Sequence, residues 1–284
     1  MALKLIPLWT LYGLTRGKAT TRWSGDGEEP GQAHLLGMPR FDPAKCQSGC
    51  RDCAQACLPQ AISLAPDDGG GERVKVDYGR CVVCQLCVEA CPTGAFTASH
   101  DWAFGSRNRE DLLWTRAAVS EQGVTLAREI RRVFGRSLHI RHVDAGSCNG
   151  CESELQALNN PYYNLHRLGV FFTASPRFAD LLLVTGPVTY AMRGPLLEAF
   201  EAMPEPRFVM ATGTCAVSGG TNGGGYACGS GLDGVLPVDV YLPGCPPNPP
   251  AIIHALLMLL QRVPQRVHGG RMSPSDPPAG DPRA

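Results

Sequence analysis

The chain has 284 residues with 26 basic and 26 acidic side chains, and a formal net charge of zero excludes a nucleic-acid binder working through a broad basic face. That length suggests about two domains, since domains cluster near ~100–150 residues, and no stretch reaches the ~18 uninterrupted apolar residues that a membrane-spanning helix needs. Thirteen cysteines are the informative count: the number is odd, and dense short spacings read as metal ligands in a reducing compartment rather than as a secreted disulfide scaffold.

Residues 1–36 form a lead-in. Lys4 precedes the apolar run Leu5–Leu14, in which Leu5, Leu8, Trp9 and Tyr12 fall on one face of a helix. Two readings stay open, a helix docked on protein and an interfacial helix with Trp9 and Tyr12 at headgroup level. A secretory signal is a third, opposed by Arg16 and Lys18 and by the absence of a small-x-small cleavage site.

Residues 37–109 contain a duplication. Cys50, Cys53 and Cys57 recur as Cys84, Cys87 and Cys91, each 34 residues later, and Ala61-Ile62-Ser63 recurs as Ala95-Phe96-Thr97. Asp67–Gly71 reads as the turn between the halves and Arg73–Val76 as a short strand. The second copy, Cys81-x2-Cys84-x2-Cys87-x3-Cys91-Pro92, is the bacterial ferredoxin run for a [4Fe-4S] cluster, in which the fourth cysteine reaches the other cluster. By that rule Cys57, Cys81, Cys84 and Cys87 hold one cluster, and Cys46, Cys50, Cys53 and Cys91 hold the second. Four-cysteine zinc sites, the bland alternative, favour separated CxxC pairs. The first copy departs twice: three residues separate Cys46 from Cys50, and Leu58 stands where proline is expected. A glycine bulge in Gln47-Ser48-Gly49 is expected to absorb the extra residue. A three-iron cluster, with Cys46 not ligating, is the competing reading there.

Residues 110–137 read as a helical connector. From 138 to 263 the pattern changes to strands alternating with helices. Leu138–Val143, Phe178–Thr185, Phe208–Ala211 and Val238–Tyr241 are the strands, and Pro195–Ala202 and Ala251–Arg262 the helices. Such alternation implies an α/β domain with a parallel sheet. Its ligands sit beyond the carboxyl ends of strands, where the loops bearing Cys148 and Cys151, Cys215, and Cys245 fall. Spacing alone leaves a four-cysteine metal site and a redox CxxC pair with two buried thiols equally open. Cys228, in Gly223–Gly229, is expected to be a free thiol. Residues 264–284, rich in proline, read as a disordered tail.

Residues Leu11–Arg109, with the lead-in Leu11–Gly17, Gly37–Phe41 and the cysteine runs, resemble the eight-iron ferredoxin subunit of respiratory complex I and its hydrogenase relatives. Residues Arg136–Val263 resemble the 20-kDa-type subunit of complex I and the small subunit of energy-converting nickel–iron hydrogenases. The motifs that carry this are Cys148-Asn149-Gly150-Cys151-x2-Glu154, Gly213-x-Cys215-x3-Gly219-Gly220 and Pro237–Cys245-Pro246-Pro247-x-Pro249. The resemblance implies a ferredoxin-like α+β domain followed by a flavodoxin-like α/β domain, and a third [4Fe-4S] cluster on Cys148, Cys151, Cys215 and Cys245. No catalytic residue is expected on this chain, Glu154 being the candidate for proton handling, with a surface helix glutamate as the alternative. Complex I carries adjacent cysteines at the first position; the two-residue spacer Asn149-Gly150 looks like the formate-hydrogenlyase branch. The expected function is therefore an electron-transfer subunit with three [4Fe-4S] clusters in series. It would sit peripherally on the cytoplasmic face of the cell membrane, beside a large hydrogenase-like or 49-kDa-like subunit, integral membrane subunits and an electron donor or acceptor protein. A quinone reductase of the complex I type and a non-enzymatic iron–sulfur sensor or scaffold are the alternatives.

Overall fold

The structure is a computed structural model and describes residues 35–66, 72–114, 137–269 and 271–272, with isolated positions 13 and 15. The segment Leu5–Tyr12, the turn 67–71, the connector from 115 to 136 and the tail beyond 272 lie outside the described residues.

Short strands and single-turn helices build the cysteine-rich half. In chain order they are β1 (Arg40–Phe41), α1 (Asp52–Ala56), β2 (Ile62–Pro66), β3 (Glu72–Asp77), α2 (Leu86–Glu89), β4 (Phe96–Thr97) and β5 (Leu113–Trp114). β1 pairs antiparallel with β4, and β2, β3 and β5 form an antiparallel sheet in which Ile62 faces Val76 and Val76 faces Trp114. Val74 and Val76 alternate with exposed neighbours, so one face of β3 is apolar and buried. Phe41 closes that core, lying 4.8 Å from the Phe96 ring and edge-on to Trp114 at 5.0 Å. The unit thus runs past residue 109 into β5, which the helical reading of 110–137 did not anticipate. Leu113-Trp114 joins the sheet by pairing with Asp77 and Val76 of β3, where Trp114 is buried.

The second half is a five-stranded sheet, parallel throughout, with helices between its strands. Its elements are β6 (Leu138–Asp144), α3 (Gly150–Ala157), β7 (Val170–Phe172), β8 (Leu181–Thr185), α4 (Tyr190–Glu201), β9 (Phe208–Thr212), α5 (Thr214–Ser218), β10 (Val240–Leu242) and α6 (Pro249–Leu259). The spatial order is β10-β9-β8-β6-β7. β8 and β9 are buried at every residue, as strands covered on both faces must be. Alternate residues serve two cores. Leu138, Ile140, Leu181, Leu183, Met210 and Val240 pack with α6, which is buried along its whole length. Val143, Leu182, Val184, Val209 and Ala211 belong to a cluster that continues into Ile62, Val76, Phe104 and Trp114 of the first half. One apolar core therefore joins the two units.

Three elements differ from the expected pattern. The strand expected from 178 begins at Leu181, because Pro176 starts a 3-10 turn ending at Phe178. β7 is an edge strand too short to show a period. α4 begins at Tyr190 and carries Pro195 inside it, whereas proline ordinarily marks a first turn. Past residue 263 the chain retains structure as β11 (Val267–His268) and β12 (Arg271–Met272), which pair antiparallel. Gln265 anchors this stretch, donating from Nε2 to Asp111 at 2.8 Å and accepting from the Arg107 backbone at 3.1 Å.

The units are also stitched by polar contacts. Ser106 and Tyr241 exchange backbone hydrogen bonds of 2.9 and 2.7 Å, so residues 105–107 run alongside β10. The Arg107 guanidinium donates to the Met258 carbonyl at the end of α6, at 2.7 Å.

Candidate metal centres

The duplicated loops repeat in hydrogen bonds as well as in sequence. Asp42 accepts from the Ala44 backbone at 3.0 Å and Asp77 from Gly79 at 2.9 Å, each starting a 3-10 turn that leads into Cys46 or Cys81. At the far end of each copy the Cys57 Sγ accepts from the Ala61 N–H and the Cys91 Sγ from the Ala95 N–H, both at 3.2 Å. Gly49 has φ +79, the left-handed turn expected of a bulge, but its counterpart Val83 has φ +60. The left-handed residue is thus a property of this loop in both copies, and glycine makes it free of Cβ strain only in the first.

Cys46, Cys50, Cys53 and Cys91 line one small, partly open recess together with Phe41, Pro92, Ala95 and Phe96. The extra residue after Cys46 does not move its thiol out of this group. Burial, and then the neighbouring Cys46, raise the Cys53 thiol to about 11. Burial followed by Cys50 and Cys91 raises Cys46. Cys91 moves the other way. Burial pushes it up, but N–H groups of Phe96, Thr93 and Ala95 and the Thr93 hydroxyl together hold it below the ordinary thiol value. Cys57, Cys81, Cys84 and Cys87 form a second group. Burial, reinforced by Cys57 and Cys84, carries Cys81 to about 12; burial and then Cys81 carry Cys87 to about 12.

The third group is assembled from strand ends. β6 delivers Cys148 and the start of α3 delivers Cys151; β9 leads into Cys215 on α5, and β10 into Cys245. Burial, then Glu152 and the other three thiols, push Cys151 well above the ordinary thiol range, and burial then Cys245 raise Cys215 to about 11. Gly213 is required here: at φ +88, a Cβ on it would lie 2.6 Å from the Cys151 Sγ. Cys148 and Cys245 are exposed, while Cys151 and Cys215 are partly covered. On the covered side the Thr214 hydroxyl donates to the Cys81 carbonyl at 2.8 Å, so this group lies against the Cys81 loop.

Sequence reasoning singled out Glu154, whose carboxyl is half-buried and raised by that burial. It missed Glu152, which is 9% exposed and sits beside Cys151. Thr185 donates to Oε1 of Glu152 and Ser147 donates to Oε2 at 2.6 Å; the Thr185 oxygen lies 2.9 Å from Nε2 of His142. Burial lowers the His142 pKa; because Thr185 gives its one hydroxyl proton to Glu152, the Nε2 side of the ring is the donor to Thr185. This network ties the first turn of α3 to β6 and β8. Its only signal in the sequence is a carboxylate next to a cysteine. Cys228 is buried outside the three groups, donating to the Asn222 carbonyl at 3.0 Å, and all thirteen cysteines are free of disulfides.

Four soft sulfur donors per group and backbone N–H groups aimed at Cys57, Cys81 and Cys91 suit polynuclear iron–sulfur clusters. Among the described residues no set of such side chains closes on the volume of a single metal ion.

Comparison with known proteins agrees. Residues 148–259 match the family model for the NADH ubiquinone oxidoreductase 20 Kd subunit, and residues 45–95 match that of the 4Fe-4S dicluster domain. Formate hydrogenlyase subunit 7 of Escherichia coli is 40% identical over 150 residues, 53% of this chain and 59% of that protein's length. The probable membrane-bound hydrogenase subunit mbhJ of Pyrococcus furiosus is 40% identical over 141 residues, 50% of this chain and 84% of that one. An uncharacterized protein of Methanocaldococcus jannaschii is 47% identical over 128 residues, 45% of this chain and 86% of that one. The chain belongs to the 20 Kd subunit family of NADH ubiquinone oxidoreductase and carries a 4Fe-4S dicluster domain ahead of it.

Proposed function

We propose that this chain is the electron-transfer subunit of a membrane-associated nickel–iron hydrogenase of the formate-hydrogenlyase or carbon-monoxide-linked type. Three [4Fe-4S] clusters would stand in series: one on Cys46, Cys50, Cys53 and Cys91, one on Cys57, Cys81, Cys84 and Cys87, and one on Cys148, Cys151, Cys215 and Cys245. When bound, such clusters carry one electron at a time, at potentials set by hydrogen bonds to sulfur and by burial.

The observation that carries this reading is the two-sided third group. Its Cys215 side rests on the Cys81 loop, while Cys148 and Cys245 are open to solvent. A site built this way takes electrons from the ferredoxin unit on one face and meets a large hydrogenase-like subunit on the other. The chain's own residues hold the thiols, exclude water through the Phe41–Phe96 and Val143–Val184 cores, and clamp the Cys148–Cys151 loop through Glu152. We read the sheet order as the flavodoxin-like doubly wound order, whose switch point lies between β6 and β8. The described residues contain no helix long and apolar enough to cross a membrane. Peripheral attachment at the cytoplasmic face, through integral membrane subunits, fits the membrane-bound relatives.

The test is anaerobic iron and sulfide analysis of the chain, with nickel and hydrogen-evolution measurements on its complex. The reading expects ~12 irons from three cubanes and hydrogen formed from reduced viologen. Eight or fewer irons would remove a cluster. A full iron count without nickel or hydrogen, but with quinone reduction, would move the complex to the complex I type, which the family model also covers.

A further inference from the structure

We infer that Thr214 is a positioning residue that couples the Cys57/Cys81/Cys84/Cys87 site to the Cys148/Cys151/Cys215/Cys245 site. The inference rests on the proposed reading of both groups as cluster sites and adds the route between them.

Thr214 is 1% exposed and uses its hydroxyl in both directions. It donates to the Cys81 carbonyl at 2.8 Å and accepts from the Gly244 N–H at 3.1 Å. Its own backbone N–H donates to the Gly244 carbonyl at 2.8 Å. Cys81 belongs to one site, while Cys215 follows Thr214 and Cys245 follows Gly244 in the other. A single buried hydroxyl, carried on the Cys215 loop of the acceptor site, therefore touches both the Cys245 loop of that site and a cysteine-bearing loop of the donor site. The route runs from Cys81 through its carbonyl, across the hydrogen bond to Thr214, and along one peptide to Cys215. Buried polar groups are kept only where partnered, so this bridge also fixes how the two units are seated.

A valine at 214 keeps the shape and removes both hydroxyl bonds; a serine keeps both. The full-length, cluster-loaded chain would be made as Thr214→Val and Thr214→Ser. Electrons would be placed on the ferredoxin clusters by photoreduction, and their arrival at the third cluster followed by freeze-quench EPR. Thr214→Val is expected to retain its iron and reach the third cluster several-fold more slowly, with Thr214→Ser restoring the unmodified rate. An unmodified rate in Thr214→Val would overturn the bridge while leaving the proposed function intact. Absence of the third cluster from the unmodified chain would sink the proposed function, and the bridge with it. Hydrogen exchange keeps the idea testable if the valine variant does not accumulate. The Gly244 amide of the unmodified chain should exchange as slowly as the amides of β10, and rapid exchange there would overturn the inference.

Discussion

In the ferredoxin unit every cysteine lies between Cys46 and Cys91, on loops braced by helices of five and four residues. In the α/β unit the thiols come from strand ends as far apart as Cys148 and Cys245, and a sheet buried at every residue of β8 and β9 holds those ends in place. The first arrangement interleaves its thiols with a small core of Phe41, Val76, Phe96 and Trp114, and helices so short are not stable by themselves. The second has a core that does not involve its thiols, because α6 and the strands beneath it close without them. In one unit buried thiols are part of the core itself, as Cys53 and Cys87 are; in the other the core behind α6 contains none of them.

The largest effect that would break this contrast is loss of iron. Chelation under reducing conditions should unfold residues 37–114, because metal binding is folding free energy when the core is small. Hydrogen exchange should meanwhile leave the strands β6, β8, β9 and β10 protected. Rapid exchange throughout the second unit would show that its core also leans on the cluster.

Gly213→Ala sharpens the same point at one atom. The new methyl group would press on the Cys151 Sγ from 2.6 Å, in a backbone conformation that alanine avoids. We expect ~4 of the ~12 irons to be lost, from the third cluster alone, with the α/β sheet still folded by circular dichroism. A full iron count would mean that α5 can shift to make room.

Arg109→Met tests the seam of the ferredoxin unit. Arg109 and Asp77 form a bidentate pair at 2.8 and 2.7 Å, each 19% exposed, and the guanidinium packs flat on Gly79. Leaving Asp77 unpaired should cost about 2–4 kcal/mol. The denaturation midpoint of the first unit should fall, and by more than that of the second, whose core behind α6 lies apart from the seam.

The smallest effect is a gain. Burial raises the Asp239 carboxyl from its usual 3.8 to about 6, although it accepts a 2.8 Å hydrogen bond from the Val209 N–H. A carboxyl raised on folding favours the folded state at low pH, and that contribution is lost as pH rises from 3.8 through 6. Asp239→Asn keeps the acceptor and removes the charge. It should stabilise the α/β unit by about 3 kcal/mol at pH 8 and by about 0.5 kcal/mol at pH 4. Equal gains at both values would rule out the charge as the cause.

The cysteine spacing by itself revealed the ferredoxin duplication, while the exchange of Cys57 and Cys91 between its halves came from the ferredoxin pattern and not from closeness in sequence. Strand and helix alternation likewise determined a parallel sheet, with Cys148, Cys215 and Cys245 at its carboxyl edge. Alternation could not see β7, which is too short to show a period, nor β5, whose Leu113-Trp114 is a strand only because it pairs with Val76 and Asp77 of β3. It could not see Glu152 and Thr214 either. Both are ordinary residues beside a cysteine, and their roles come from partners far along the chain: Thr185 for the one, Cys81 and Gly244 for the other. Tertiary structure alone decided those contacts, because a side chain's hydrogen bonds depend on which segments the core brings within three ångströms, and local sequence carries no record of that distance.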